Sequence, residues 1–186
     1  MPRFKAAKNP IIDQINGIAI KNSGIFPEVK SNKPKVKMVE ISKRIPKGVI
    51  CCDSALEYYK LSTINPGEIH VAVNANSNIT KPDYPPVQLY YLSKNQFEIG
   101  INEIMIQGEK VRIYSPEKTI CDCVKFRSRI GMEVVLESIK NYVKRKDRNL
   151  ALLSEYSQKC RVEKILTKYL EVLVWVKRLK INLNHS

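Results

Sequence analysis

The residues of this chain best suited to bind a ligand are cations, which are concentrated between Lys118 and Arg148. That segment holds nine basic and four acidic residues. Guanidinium and ammonium groups in such density bind phosphate or carboxylate oxygens, although a solvated basic face with no ligand is the alternative. We expect a site for a nucleic acid or an acidic partner, formed by Lys118, Asp122, Lys125, Arg127, Arg129, Lys144, Arg145 and Lys146.

Asp122 is the polar residue that stands out within this basic segment. On a helix it lies four residues after Lys118 and three before Lys125, so the three side chains share a face, with Arg129 further along it. A carboxylate among three cations is expected to stay ionised. We therefore expect a charge network that orients the basic face.

Patterns typical of enzymes are missing from the sequence. It contains no G-x-G-x-x-G, no P-loop and no G-x-S-x-G motif. The strand around Glu103 offers one carboxylate, whereas a nuclease that uses Mg²⁺ needs several that converge. His70 lies in an alternating strand, where a solvent-facing or hydrogen-bonded side chain is expected more than a catalytic base. We expect no catalytic residues and no cofactor, and an enzyme acting on nucleic acid is the least favoured alternative.

The five cysteines include an adjacent pair and a C-x-C, but no C-x-x-C pair. Only His70 and His185 could supplement them as metal ligands, so we expect no metal site. Cysteines within apolar helical sequence are typical of small buried hydrophobes in a reducing compartment. The longest apolar run near the end, Val172 to Val176, is too short to cross a bilayer, and no apolar leader follows the N-terminus. We expect a cytoplasmic protein with no membrane partner.

Length and composition predict one main globular domain. The chain has 186 residues, of which 44% are hydrophobic and 27% charged, and its formal net charge is +14. Such a charge attracts nucleic acid, anionic lipid or an acidic protein, although a lysine-rich proteome is an alternative explanation. Residues 1–37 are predicted to be a basic arm and linker, 38–175 the main domain and 176–186 a basic tail.

Hydrophobic periodicity predicts two helices and then a sheet. The helices are Met38 to Ile45, ended by Pro46, and Val49 to Leu61. Alternation predicts strands at Ile69 to Val73 and Val87 to Tyr91, and a hairpin that turns at Gly108 and Glu109.

A run of four helices is predicted to follow the sheet. Ser115 is a good N-cap and Pro116 suits the first helical position, so the first helix runs from Pro116 to about Arg127. The others are Met132 to Lys146, Leu150 to Lys159, and Val162 to about Leu179. In the first of these, the apolar residues expected to face inward are Met132, Val135, Ile139, Tyr142 and Val143. The fold class is therefore α+β, with a small mixed or antiparallel central sheet followed by a C-terminal run of four helices.

The segment from Arg112 to Gly131, RIYSPEKTICDCVKFRSRIG, closely resembles the signature of AbiEi antitoxins. In that family V-Y-S-P-x-K-T-hydrophobic-x-D-C-F-K-F-R is followed by Ile-Gly and a helix. Two further stretches agree in order, Arg44 to Leu56 and Cys160 to Lys164 with Tyr169 to Glu171. The resemblance covers roughly residues 38–172.

The resemblance implies a non-enzymatic protein of a type IV toxin–antitoxin pair, as used in phage abortive infection. In that family an N-terminal winged helix-turn-helix binds the protein's own promoter, and a C-terminal domain neutralises a nucleotidyltransferase-like AbiEii toxin. Before Met38 there is too little regular sequence for a three-helix winged domain, and we expect Ile20 to Val29 to be a remnant wing strand at most. The implied partner is thus an AbiEii-like toxin, and a DNA-binding regulator that contacts its own promoter DNA or RNA is the alternative.

Overall fold

The structure is a computed structural model that describes residues 33–172. The predicted basic arm, the remnant wing strand and the basic tail fall on residues 1–32 and 173–186, which lie outside the described residues.

A five-stranded mixed sheet forms the centre of the fold, which confirms the predicted α+β class. The strand order is β3-β2-β1-β5-β4. The pairs β1–β5 and β2–β3 are parallel, whereas β1–β2 and β4–β5 are antiparallel. The strands are β1 (Val49–Ile50), β2 (Ile69–Asn74), β3 (Val87–Leu92), β4 (Ile101–Ile106) and β5 (Glu109–Tyr114).

Helices cover both faces of this sheet. Those before β5 are α1 (Lys33–Arg44), α2 (Cys52–Tyr58) and α3 (Lys94–Phe97). Those after β5 are α4 (Pro116–Lys125), α5 (Arg127–Ile130), α6 (Met132–Lys144), α7 (Leu150–Lys159) and α8 (163–172). The predicted C-terminal run of helices is present, with α5 as an additional single turn.

Two apolar layers hold these elements together. On one face of the sheet, Met38 and Ile41 of α1 pack with Val71 and Ile113. On the other face, α2, α4, α6 and α7 contribute to one cluster with Tyr90 and other residues of the sheet. Successive side chains of β2 and β3 point to opposite faces of the sheet, so both strands contribute to both layers.

The first helix begins earlier than its apolar spacing predicts. It starts at Lys33 rather than Met38, so residues 33–37 are helical and not part of a linker. Lysine is a good helix former and Pro34 lies in the first turn, where its missing N–H costs no internal hydrogen bond. The lysine-rich composition therefore predicts the wrong structure for these five residues.

The second predicted helix is also corrected, because Val49 and Ile50 form the central strand. Each is at most 2% exposed, and β1 pairs with β2 on one side and β5 on the other. A strand buried on both faces is an uninterrupted apolar run, which resembles a buried helix in sequence. The helix begins only at Cys52.

The β4–β5 hairpin is shifted by one residue from its predicted turn. The turn residues are Gln107 and Gly108, with φ of 53° and 81°, and Ile106 faces Glu109 across the pair. Two consecutive positive φ values define a type I′ turn, whose twist matches that of paired strands.

Two side chains of α6 face solvent although an inward orientation was expected. Val135, Ile139 and Tyr142 are fully buried, as predicted, but Met132 and Val143 are 42% and 36% exposed. They lie at the first turn and the last turn of α6, where the neighbouring helices no longer cover the apolar face.

Candidate basic binding site

Lys118 and Asp122 form an ion pair inside the protein. Their side chains are 0% and 1% exposed, and Lys118 Nζ lies 2.5 Å from Asp122 Oδ1. The ammonium group also lies 4.2 Å from the centre of the Tyr114 ring. The expectation that both residues belong to an exposed binding face is wrong, because α2, α6 and α7 pack around α4 and leave little of it in contact with solvent.

Burial controls the protonation of this pair. It raises the pKa of Asp122 to about 6, against the attraction of Lys118. Burial also lowers the pKa of Lys118, but the attraction of Asp122 outweighs it and the net shift is upward. With these shifts both groups are charged at pH 7, but burial moves the pKa of Asp122 upward rather than favouring its charged form, and the internal pair orients no surface. Asp122 Oδ2 has no hydrogen-bond partner among the described residues.

The remaining predicted cations fall into two groups, because α4 and α6 run in opposite directions. Tyr142, near the end of α6, donates a hydrogen bond of 2.9 Å to Glu117 Oε1 in the first turn of α4. The end of α6 thus lies beside the start of α4. A helix of ten residues is about 15 Å long, so the end of α6 is remote from the end of α4. The predicted single face does not exist.

The α6-end cations are Lys144, Arg145 and Lys146. Arg145 Nη2 lies 2.6 Å from Asp147 Oδ2, and its Nη1 donates to the carbonyl oxygen of Tyr59 at 3.1 Å. Arg145 therefore fixes the end of α6 against the end of α2. Lys144 and Lys146 are exposed to solvent.

The α4-end cations are Lys125, Arg127 and Arg129. Lys125 Nζ donates to Gln96 Oε1, and Arg127 Nη1 donates to the carbonyl oxygen of Val124 at 3.2 Å. Arg129 is exposed, with its guanidinium carbon 5.9 Å from the centre of the Tyr90 ring. Within residues 33–172 none of the three forms an ion pair with a carboxylate, so their charge remains available to a ligand.

A groove with a volume of about 560 Å³ opens beside two of these cations. The end of α7 adds two more, Lys159 and Arg161, which are not among the predicted site residues. Lys159 Nζ lies 2.7 Å from Glu155 Oε1 and is therefore already paired. No carboxylate lines this cationic groove. Its lining is Ser93, Asn95, Gln96, Lys125, Arg127, Lys159, Cys160, Arg161, Val162 and Ile165.

A hydrogen-bonded amide joins the two sides of the groove. Gln96 of α3 accepts from Lys125 Nζ and donates through Nε2 to the carbonyl oxygen of Lys159 at 3.3 Å. Burial lowers the pKa of Lys125, while Asp122 acts in the opposite sense. A partly desolvated ammonium group fixed by an uncharged amide is well placed to bind an anion.

Arg161 has an unusual backbone for a residue with a long side chain. Its φ is 61°, its N–H donates to the carbonyl oxygen of Gln158, and Val162 N–H donates to that of Ser157, both at 2.9 Å. This is a Schellman ending of α7, whose left-handed position usually holds glycine. An L-residue in that conformation costs about 1–2 kcal/mol. The chain thus carries a guanidinium at a position where local energetics favour glycine.

A second polar cluster surrounds His70 on β2. Its Nδ1 lies 3.7 Å from Asp53 Oδ2 and 3.4 Å from Tyr90 Oη. Burial raises the pKa of Asp53 to about 6. The side chains of His70 and Asp53 are only 12% and 8% exposed, so the cluster offers little access to a substrate. His70 therefore has a hydrogen-bonded side chain, one of the two environments expected for it.

All five cysteines are buried and none forms a disulfide, which confirms the prediction of small buried residues. In residues 33–172 no three His, Cys, Asp or Glu side chains are grouped in a way that could hold a metal ion. None of the helices in the same residues combines the length and the apolar character needed to traverse a bilayer.

Fold and site together define an α+β domain that carries a cationic groove at the junction of α3, α4 and α7. No family model and no curated protein matches the chain.

Proposed function

We propose that this protein is a non-catalytic, cytoplasmic AbiEi-like antitoxin that neutralises a nucleotidyltransferase-type toxin by binding. The observation that carries the proposal is the set of unpaired cations at the end of α4, inside the segment that resembles the antitoxin signature. Neutralisation by contact needs charge and shape rather than a reactive group. An acidic toxin surface or the toxin's nucleic-acid substrate would supply the opposite charge.

The segment that resembles the antitoxin signature supports this proposal because it holds the groove cations in place. Ser115 Oγ accepts a hydrogen bond from Lys118 N–H at 3.3 Å and so caps α4, and the helix is then buried along most of its length. This burial fixes the direction of α4, and with it the position of Lys125 and Arg127. The most recognisable part of the sequence thus acts as a rigid support for the basic groove.

Co-expression with a nucleotidyltransferase-type toxin encoded beside the gene tests the proposal. The wild-type chain is expected to restore growth. A double variant, Arg127→Gln with Arg129→Gln, removes two α4-end cations without emptying a core position and is expected to lose most of this protection. The control is Lys110→Gln with Lys140→Gln, which removes the same charge elsewhere and is expected to protect as the wild type does.

Three outcomes would contradict the proposal. Absence of protection by the wild-type chain would exclude the antitoxin function. Equal loss in the test and control variants would reduce the effect to net charge. Loss in Lys144→Gln with Lys146→Gln, but not in the test variant, would place the contact at the α6 end instead.

A DNA-binding regulator is the second candidate function, and the charge of α1 favours it. Residues 33–47 carry six basic residues and one acidic residue. Two of these cations are already paired, Lys43 with Glu109 and Arg44 with Glu40. Binding to a promoter fragment that depends steeply on salt but not on sequence would indicate electrostatic contact alone. Sequence-selective binding would favour the regulator over the antitoxin.

A further inference from the structure

We infer that the cationic groove binds phosphate groups, as two neighbouring phosphates of a diphosphate or of a nucleic-acid backbone. The inference deepens the proposed function and rests on it only for treating this surface as a binding site. Its basis is a groove lined by four cationic side chains and by no carboxylate. Lys159 is already paired with Glu155 at 2.7 Å, so Lys125, Arg127 and Arg161 are the cations that remain for a ligand.

The composition of the groove suits phosphate oxygens. Arg127 and Arg161 carry planar guanidinium groups, which bind phosphate through two parallel hydrogen bonds, and Lys125 adds a compact ammonium group. Ser93 and Asn95 add uncharged donors at the rim. A phosphate accepts several hydrogen bonds at once, so it can satisfy many of these donors together.

The size and the lining of the groove favour phosphate over two other ligands, a stacked base and a set of surface carboxylates. A volume of about 560 Å³ leaves room for more than a single phosphate, so a diphosphate or a stretch of nucleic-acid backbone can enter. No aromatic side chain is part of the lining, so the groove offers no surface on which a base could stack. Carboxylates on a protein surface project from separate flexible side chains and are harder to bring together within one recess. We therefore expect recognition of phosphate, independent of base sequence.

The left-handed backbone of Arg161 allows a clean test of its side chain, because glycine can replace it there without strain. Lys60 provides a comparison within the same chain, because it is an exposed cation with φ of 56° outside the groove lining. Arg161 and Lys60 thus share charge and backbone conformation but differ in location.

The substitutions Arg161→Gly and Lys60→Gly form a matched pair of variants. Each removes one positive charge and gives a left-handed position the residue that suits it. Neither is expected to lower the midpoint of thermal unfolding, so a loss of binding cannot be attributed to misfolding. Binding is measured on the full chain, without toxin, to inorganic pyrophosphate by calorimetry and to a single-stranded oligouridylate by fluorescence anisotropy.

Arg161→Gly is expected to weaken binding of the phosphate probe about tenfold, the effect of losing one charged hydrogen bond, whereas Lys60→Gly binds as the wild type does. If pyrophosphate binds and displaces the RNA, the ligand is a diphosphate. If only the RNA binds, with a salt dependence about one contact shallower in Arg161→Gly, the ligand is a nucleic-acid backbone.

Equal binding by the two variants would overturn the inference. Absence of binding to both phosphate probes would also overturn it, because the groove would then bind no phosphate. An oligoglutamate peptide that binds as tightly as the phosphate probes would overturn it too, because the groove would then select only for negative charge. These outcomes are distinct from failure of the proposed function. If the chain binds phosphate but does not protect against the toxin, the groove is a phosphate site and the antitoxin proposal is wrong.

Discussion

Replacing Lys118 with methionine is expected to lower the free energy of unfolding at pH 7 by about 3–5 kcal/mol, because it leaves the buried Asp122 carboxylate without its counter-charge. Asp122 is 1% exposed and its second oxygen already has no partner. Urea denaturation followed by circular dichroism measures the change. Lys125→Met, on the same helix but only half-buried, is expected to have a much smaller effect.

The pH dependence of this loss tests its electrostatic cause. The pKa of Asp122 in the folded state, about 6, is above its ordinary value of 3.8. Protonation therefore favours the folded state, a contribution that is present below about pH 4 and lost as the pH rises through 6. Because Lys118 lowers the pKa of Asp122, this pKa is higher in Lys118→Met. The deficit is therefore expected to be largest at high pH and to shrink as the pH falls toward 6, since a neutral carboxyl needs no counter-charge. A double variant with Asp122→Leu is expected to recover most of the stability at pH 7.

A loss below about 1 kcal/mol in Lys118→Met, or a loss that does not change with pH, would contradict the description of this pair. Either result would mean that Asp122 is neutral or solvated in the folded protein, and that α4 is less tightly enclosed than its contacts indicate.

Replacing Gly100 with alanine is expected to destabilise the protein by about 2–4 kcal/mol, through two costs that add. Gly100 has φ of 69°, where an L-residue costs about 1–2 kcal/mol. A Cβ there would lie 2.7 Å from Lys118 Cβ and 3.1 Å from Tyr156 Cε2, and overpacking of this kind costs about 1–3 kcal/mol. Urea denaturation measures the total.

Gly108→Ala is the matched control for this prediction. Gly108 has φ of 81°, but nothing lies within 4 Å of the added Cβ, so only the backbone cost of about 1–2 kcal/mol is expected. The difference between the two variants then measures how closely the backbone at Gly100 approaches α4. Equal losses in the two variants would show that no steric contact exists at Gly100.

Local signals in the sequence predict the parts of the fold that short-range physics controls. Ser115 and Pro116 identify the start of α4 because capping depends on residues three positions apart. The alternation from Ile69 identifies β2 in the same way. The central strand β1 is missed because two residues, Val49 and Ile50, are too few to show a period.

Burial of polar residues is the main feature that the sequence does not reveal. In α4 the buried residues include Glu117, Lys118, Thr119 and Asp122, so the helix has little of the polar face that periodicity would assign to solvent. Only the packing of α2, α6 and α7 around α4 explains this. Periodicity alone therefore predicts Lys118 and Asp122 on the surface, whereas both are buried in the folded protein.

The groove is also a product of tertiary contacts. Lys125 and Arg161 are far apart in sequence and meet because α7 packs along α4. The antitoxin resemblance included the stretch from Cys160 to Lys164, and this was the signal that could have drawn attention to Arg161. By contrast, the density of cations between Lys144 and Arg148 predicts a binding site at the α6 end, which lies away from the groove.

Growth protection by the Arg161→Gly and Lys60→Gly variants tests the claim that the cationic groove gives the protein its proposed antitoxin activity. Both remove one charge and both suit their backbone, so their folded fractions are expected to match the wild type. If the claim is correct, Lys60→Gly restores growth in the presence of the toxin and Arg161→Gly restores it poorly. Equal protection by the two variants would contradict the claim.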